Sequence, residues 1–133
     1  MRESAMPVAA SRWAFGIPSL DAALGGGLAR GRVHEIYTAE VEDAAAPAGF
    51  ALAVATAMAN PDQTLLWLRT QRAMRSAGAI QAAGWAELGG APGHAMLGLV
   101  PDAMALLRAA VDALRCPALG AVIVESWGAM REL

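Results

Sequence analysis

The stretch EIYTAEVEDAAAP, residues 35–47, is the most informative part of the chain for predicting its fold and chemistry. It follows the glycine-rich segment LGGGLARGRVH, residues 24–34, and it precedes an alanine-rich run that predicts a helix. A strand, a loop and a helix in that order form the setting of a phosphate-binding loop. This loop has no glycine between Thr38 and Pro47, and the chain has no lysine, because all ten basic residues are arginine.

Length and composition predict one α/β domain in a reducing compartment. The 133 residues suit a single domain, and 56% hydrophobic residues are enough to build a packed core. The net charge of −2 gives no bulk attraction for nucleic acid. A single cysteine excludes a disulfide framework, and the N-terminus lacks the apolar run of a secretory signal. The apolar stretches are too short for a membrane-spanning helix, so we expect a cytoplasmic protein.

The first part of the chain predicts a lead-in, a short helix and a strand. Residues 1–14 are expected to be a flexible lead-in, and residues 15–133 a single domain. The segment PSLDAALGGG, residues 18–27, predicts a short helix that Ser19 caps and the glycines end. RVHEIY, residues 32–37, alternates in polarity and predicts a strand, and apolar residues at helical spacing predict a helix from Ala44 to Met58.

Three further strands are predicted, separated by helices. They are TLLWL at residues 64–68, AMLGLV at residues 95–100 and LGAVIVES at residues 119–126. A weakly helical segment interrupted by Gly78 precedes the second of them. Asp102 can cap the helix before the third, on which Met104, Leu107, Val111 and Leu114 share a face. Strands that alternate with helices predict a mostly parallel sheet flanked by helices.

Three motifs resemble the core of RecA-type ATPases. FGIPSLDAALGGGLARGRVHEIY (residues 15–37) resembles the opening of that core, and WAELGGAPGHAMLGLVPD (residues 85–102) its segment leading into an edge strand. LGAVIVESWGAM (residues 119–130) resembles its Walker B strand. The resemblance implies a RecA-like P-loop NTPase core in which RVHEIY and AVIVE are neighbouring strands. Since the chain ends at Leu133, soon after the Walker B-like strand, we expect the N-terminal half of that core only.

In the register of this family the phosphate loop is degenerate. Ala44 stands near the lysine position and Ala45 near the Mg²⁺-binding hydroxyl, and the remaining loop residues considered are Thr38, Glu40, Glu42 and Asp43. Carboxylates would then face the place of the phosphates. Two like charges 4 Å apart cost about 4 kcal/mol at an effective dielectric constant of about 20. We therefore expect no catalysis, cofactor or metal, and an atypical P-loop ATPase of the RecA family is the alternative.

A subgroup with such a core and a degenerate loop is ImuA, which accompanies damage-induced mutagenesis. LLWLRTQRAMRSAG (residues 65–78) and FALAVATAMA (residues 50–59) are similar to that subgroup. The resemblance implies SOS-response support of translesion synthesis. The implied partners are an inactive Y-family polymerase homologue of the ImuB type, an error-prone replicative-type polymerase and RecA. A SulA-like cell-division inhibitor is the other alternative, and DNA is expected to be reached only indirectly or weakly.

Several polar residues could have a functional or a structural role. Glu125 could be a Walker B-like acid or a carboxylate that caps a turn, and Trp127 could be a contact or a packing residue. Three arginines could contact phosphate or an acidic partner, or form a solvated surface: Arg69, Arg72 and Arg75. The sequence VESWG lacks the first glycine of a nucleophile elbow. Metal-ligand spacing is missing for the two histidines and the cysteine: His34, His94 and Cys116.

Overall fold

The structure is a computed structural model that describes residues 11–40, 43 and 45–126. The chain divides into two compact units, Met1–Ile36 and Tyr37–Leu133.

Within residues 11–36, the first unit has one helix and a pair of two-residue strands. Helix α1 spans Pro18–Ala23, and strand β1, Arg12–Trp13, pairs antiparallel with strand β2, Leu28–Ala29. The short helix is confirmed, and β1 lies inside the predicted lead-in of residues 1–14. The prediction that Ser19 caps this helix is wrong: the N-cap residue is Ile17, and Ser19 lies within the helix. Pro18 at the first helical position explains where α1 begins. The N–H group of this position has no partner within a helix, and proline lacks that group.

The side chains of Arg12 and Asp21 hold the turns of the first unit. The Asp21 carboxylate accepts hydrogen bonds from the backbone N–H groups of Phe15 at 2.8 Å and Gly16 at 3.0 Å. The Arg12 guanidinium donates to the carbonyl of Gly27 at 2.8 Å. Gly27 has a φ of +105°, and a Cβ there would collide with the carbonyl of Trp13. This glycine of the GGG run is therefore required by close backbone packing.

The second unit is built on a three-stranded parallel sheet. Strand β3, Thr64–Thr70, lies between β4, Ala95–Val100, and β5, Leu119–Glu125. The three strands predicted in this part of the chain are thus confirmed. Their burial is greatest along β3, as expected for the central strand of a parallel sheet.

Helices flank this sheet on both faces. They are α2 (Ala45–Met58), α3 (Gln71–Ala77), α4 (Ala82–Glu87) and α5 (Ala103–Ala113), with a 3₁₀ turn at Pro92–His94. One face carries a core formed by α2, α4 and alternate residues of β3: Leu52, Ala55, Leu65, Trp67 and Trp85. The connections from β3 to β4 and from β4 to β5 step in opposite directions, so right-handed crossovers place α4 and α5 on opposite faces. The fold is therefore α/β with a parallel sheet between helices.

The strand predicted at RVHEIY is wrong. Residues 33–38 form no strand, and the side chains of Val33 and Tyr37 are exposed. Within the described part of the chain, β5 pairs with β3 alone, so the predicted pairing of RVHEIY with AVIVE is also wrong. Alternating polarity describes an extended backbone, but a strand also needs a neighbour that completes its hydrogen bonds. Here the ring of His34 contacts the carbonyl oxygen of Ala29 at 2.8 Å instead.

The buried face of α5 lies opposite the apolar face that the sequence spacing indicates. Leu106 and Ala113 are buried, whereas Met104, Val111 and Leu114 are exposed. Asp102 caps the helix as predicted, because its carboxylate accepts from the N–H of Ala105 at 2.8 Å. None of the helices in the described ranges is both long and apolar enough to cross a membrane.

Candidate functional site

In the described part of the loop before α2, hydrogen bonds join Thr38, Glu40 and Asp43. The Thr38 hydroxyl donates to the carbonyl of Glu40 at 2.9 Å and accepts from its N–H at 3.3 Å. The N–H of Asp43 donates to the same carbonyl at 3.2 Å. Glu40, Asp43 and Ala45 are exposed, while Glu42 and Ala44 lie outside the described residues. Two backbone groups that a phosphate-binding loop would offer to a ligand are thus used within the turn.

An ion pair lies at the carboxyl end of the parallel strands, where α/β proteins commonly bind ligands. Arg69 of β3 and Glu125 of β5 are direct partners in the parallel register. Arg69 Nη2 donates to Glu125 Oε1 at 3.2 Å, and Nε lies 2.7 Å from Oε2. The Nε–H group is not directed at that oxygen, so this second contact is electrostatic. The two side chains are only 2% and 15% exposed.

Two further groups complete the environment of the ion pair. The indole N–H of Trp67 donates to Glu125 Oε2 at 2.9 Å, and Arg69 Nη1 donates to the carbonyl of Gly78 at 2.7 Å. The guanidinium carbon lies 5.5 Å from the centre of the Trp67 ring, within cation–π range. Trp67 and Arg69 are two positions apart on β3, so both side chains project from the same face of the sheet.

This arrangement uses Glu125 as a structural anion. Its carboxylate is held by a guanidinium and an indole N–H, and a divalent cation there would meet the positive charge of Arg69. Breaking such a buried pair by removing one partner typically costs about 3–5 kcal/mol, because the other charge is left uncompensated. The geometry therefore favours an internal ion pair over a Walker B-like metal ligand.

The three arginines predicted as one cluster are separated by the structure. Arg69 is buried in the ion pair, whereas Arg72 and Arg75 are exposed on α3. The reason is the boundary between β3 and α3, where the backbone turns after Thr70 and the side chains stop alternating across the sheet. Any contact of this cluster with phosphate or an acidic partner stays a prediction, and it falls to Arg72 and Arg75. Trp127 lies outside the described residues.

His94 and Cys116 are both exposed. The ring of His94 contacts the carbonyl oxygen of Pro61 at 3.1 Å, and Cys116 is exposed with a free thiol. Within residues 11–40, 43 and 45–126, no group of three or more histidine, cysteine or acidic residues could hold a metal ion.

An apolar pocket beside β4 was not predicted from the sequence. Its volume is about 190 Å³, and its lining is uncharged: Leu65, Trp67, Ile80, Ala82, Trp85, Pro92, Ala95, Met96 and Leu97. Trp85 is fixed there by its indole N–H, which donates to the hydroxyl of Thr56 at 2.8 Å. Gly90 packs so closely against this ring that a Cβ would collide with it. In the sequence, only the glycine pair at residues 89–90 indicates such close packing, and a glycine pair equally indicates a turn.

Comparison of the chain with protein-family models, with curated proteins and with solved structures found no match.

Proposed function

We propose that this chain is a non-catalytic, RecA-like accessory protein of the ImuA type that supports DNA damage tolerance through protein contacts. The proposal starts from the motif resemblance in residues 15–37, 85–102 and 119–130. The parallel order of β4, β3 and β5 is compatible with a P-loop-like layout. Residues 33–38 form no strand, which departs from that layout and makes nucleotide binding by this segment and the loop after it less favourable.

The observation that carries the non-catalytic part is the ion pair between Arg69 and Glu125. A Walker B-like acid must be free to reach a metal-bound water, and here the carboxylate is engaged by two donors. The chain also offers no lysine to the β- and γ-phosphates, and its loop carries Glu40 and Asp43. Each feature weakens ATP binding by a different mechanism, so together they favour a protein that has lost the ATPase reaction.

The partners proposed are the polymerases of translesion synthesis, an inactive Y-family homologue and an error-prone replicative-type enzyme, with RecA as a further partner. Recruitment through proteins suits the net charge of −2 and the small basic patch of Arg72 and Arg75. The apolar pocket and the exposed apolar residues of β4 and α5 offer contact area for proteins.

Titration calorimetry with Mg-ATP tests the loss of nucleotide binding. We expect no saturable heat up to about 100 μM ligand, which corresponds to a binding free energy weaker than about −5.5 kcal/mol. A tighter dissociation constant would contradict the proposal and favour the atypical ATPase. A variant with Ala44→Lys and Ala45→Thr serves as the comparison, since it restores the residues that the family register requires.

Affinity purification from cells exposed to DNA damage tests the partners. We expect the Y-family homologue and the replicative-type polymerase to co-purify and to bind as purified proteins. Exclusive recovery of a cell-division protein would instead favour the SulA-like alternative.

A further inference from the structure

Strand β4 forms one edge of the described sheet, and three of its large apolar side chains are exposed. In the part of the chain that the structure describes, β4 pairs with β3 alone. Met96 is 59% exposed, Leu97 52% and Leu99 44%. Natural edge strands are commonly protected by a charge, a proline or a bulge, and Ala95–Val100 contains no charge and no proline. The outer backbone groups of β4 are therefore suited to pair with another strand.

We infer that β4 pairs antiparallel with β4 of a second copy of this chain, joining two three-stranded sheets into one of six strands. A two-fold axis perpendicular to the sheet at Leu97 places the two Leu97 side chains opposite each other. In this register Ala95 lies opposite Leu99 of the other copy, and Met96 lies opposite Gly98. Each contact away from the axis occurs twice, as the symmetry of such an interface requires.

Side-chain sizes favour this register. Met96 and Leu99, two of the exposed large residues, each meet one of the two smallest residues of the strand, Gly98 and Ala95. Ala95 lines the pocket of about 190 Å³, so the leucine that faces this residue can enter the apolar space. The pocket lining is uncharged, which suits a leucine and would penalise a charged side chain.

Charge also favours antiparallel pairing of two copies. The exposed His94 precedes β4, and the exposed carboxylate of Asp102 follows it. Antiparallel pairing keeps the Asp102 carboxylates of the two copies at opposite ends of the paired strands, whereas parallel pairing would bring these like charges side by side. Because the same edge is used on both sides, the assembly closes as a dimer instead of extending into a fibre.

Disulfide trapping of single-cysteine variants tests the register, after Cys116→Ser removes the native exposed thiol. Opposed Cα atoms in an antiparallel pair lie about 4.5–5.5 Å apart, within the range of a disulfide. Leu97→Cys should therefore cross-link to a dimer under mild oxidation. Leu99→Cys is the matched control, because the two residues 99 lie four positions apart along the ladder and should cross-link at least about tenfold more slowly. Equal rates for the two variants, or no cross-link from Leu97→Cys, would overturn the inference.

Sedimentation equilibrium of the unmodified chain tests the association itself. We expect a monomer–dimer equilibrium that Leu97→Lys weakens at least about tenfold, since two like charges would face each other on the axis. Mixing Leu97→Lys with Leu97→Glu should restore the dimer. Val124→Lys is the control: it places the same charge on β5, at a residue that is 42% exposed, and should leave the association unchanged. A wild-type chain that stays monomeric up to about 100 μM, or that forms larger assemblies, would contradict the inference.

Discussion

Glu125 accepts a hydrogen bond from the indole of Trp67 at 2.9 Å while its other carboxylate oxygen accepts one from Arg69 at 3.2 Å. The carboxylate is thus held by two side chains, those of Trp67 and Arg69, which lie two positions apart on the adjacent strand β3. This arrangement supports the proposed loss of ATPase activity. The negative charge of Glu125, which a metal ion would need, is already paired with Arg69.

Removing either charge of the pair should destabilise the second unit. We expect Arg69→Met and Glu125→Gln each to lower the free energy of unfolding by about 3–5 kcal/mol, measured by urea denaturation. The double variant Arg69→Met/Glu125→Gln should lose less than the sum of the two single changes, because neither charge is then left alone. Strict additivity would show that the two side chains do not interact.

The exposed pair formed by Arg115 and Asp112 provides the matched control. Its charges lie 3.7 Å apart, with both side chains more than three-quarters exposed. Replacing either residue by its neutral analogue should change the unfolding free energy by less than about 0.5 kcal/mol. A loss as large as that of Arg69→Met would mean that burial is not the cause of the larger effect.

The sequence predicted the strands of the second unit well and the role of Arg69 poorly. TLLWL is a short apolar run whose burial in the central strand follows from its hydrophobicity, and AVIVE is a similar run that forms the partly buried strand β5. Arg69, in contrast, stands three residues before Arg72, and this spacing indicates a shared helical surface. The two-residue spacing of Leu65, Trp67 and Arg69 indicates instead that they share one face of a strand. Only the position of the β3–α3 boundary distinguishes the two interpretations, and boundaries are set by tertiary packing.

Local sequence patterns do not determine three features of the structure: the cap of α1, the conformation of RVHEIY and the buried face of α5. Ser19 is a good capping residue by type, but Pro18 at the first helical position moves the cap to Ile17. RVHEIY alternates like a strand, yet alternation contains no information about which neighbour is present. For α5, the large residues Met104 and Val111 dominate the pattern, while packing selects Leu106 and the small Ala113.

A methyl group at Gly90 should disturb the core around Trp85. Neither Gly90 nor Gly93 has a positive φ, so replacement by alanine tests space and not backbone strain. Gly90→Ala would collide with the buried indole ring, and we expect a loss of about 1–3 kcal/mol in unfolding free energy. Gly93→Ala is the control, since its Cβ would meet no atom within 4 Å. Equal stability of the two variants would show that Trp85 can move without cost.

Loss of the Asp102 cap should weaken α5. Asp102→Ala removes the acceptor for the N–H of Ala105, and we expect a loss of about 1 kcal/mol, measured by thermal or urea unfolding. Ser19→Ala is the comparison, because that hydroxyl does not cap α1 and its removal should change stability by less than about 0.5 kcal/mol. A larger effect at Ser19 than at Asp102 would contradict the capping assignment.

Direct binding of single-stranded DNA should be weak, because the arginine cluster supplies two exposed guanidinium groups. Arg69 is engaged with Glu125, which leaves Arg72 and Arg75. Two phosphate contacts on a single strand give a slope of only about −1.4 in log affinity against log salt. Fluorescence anisotropy with a labelled strand at about 150 mM salt should therefore show no submicromolar binding. The double variant Arg72→Ala/Arg75→Ala and the control Arg108→Ala, on α5, should then behave like the wild-type chain. Submicromolar affinity that only the first variant abolishes would establish α3 as a DNA-binding element and replace recruitment through proteins by direct contact.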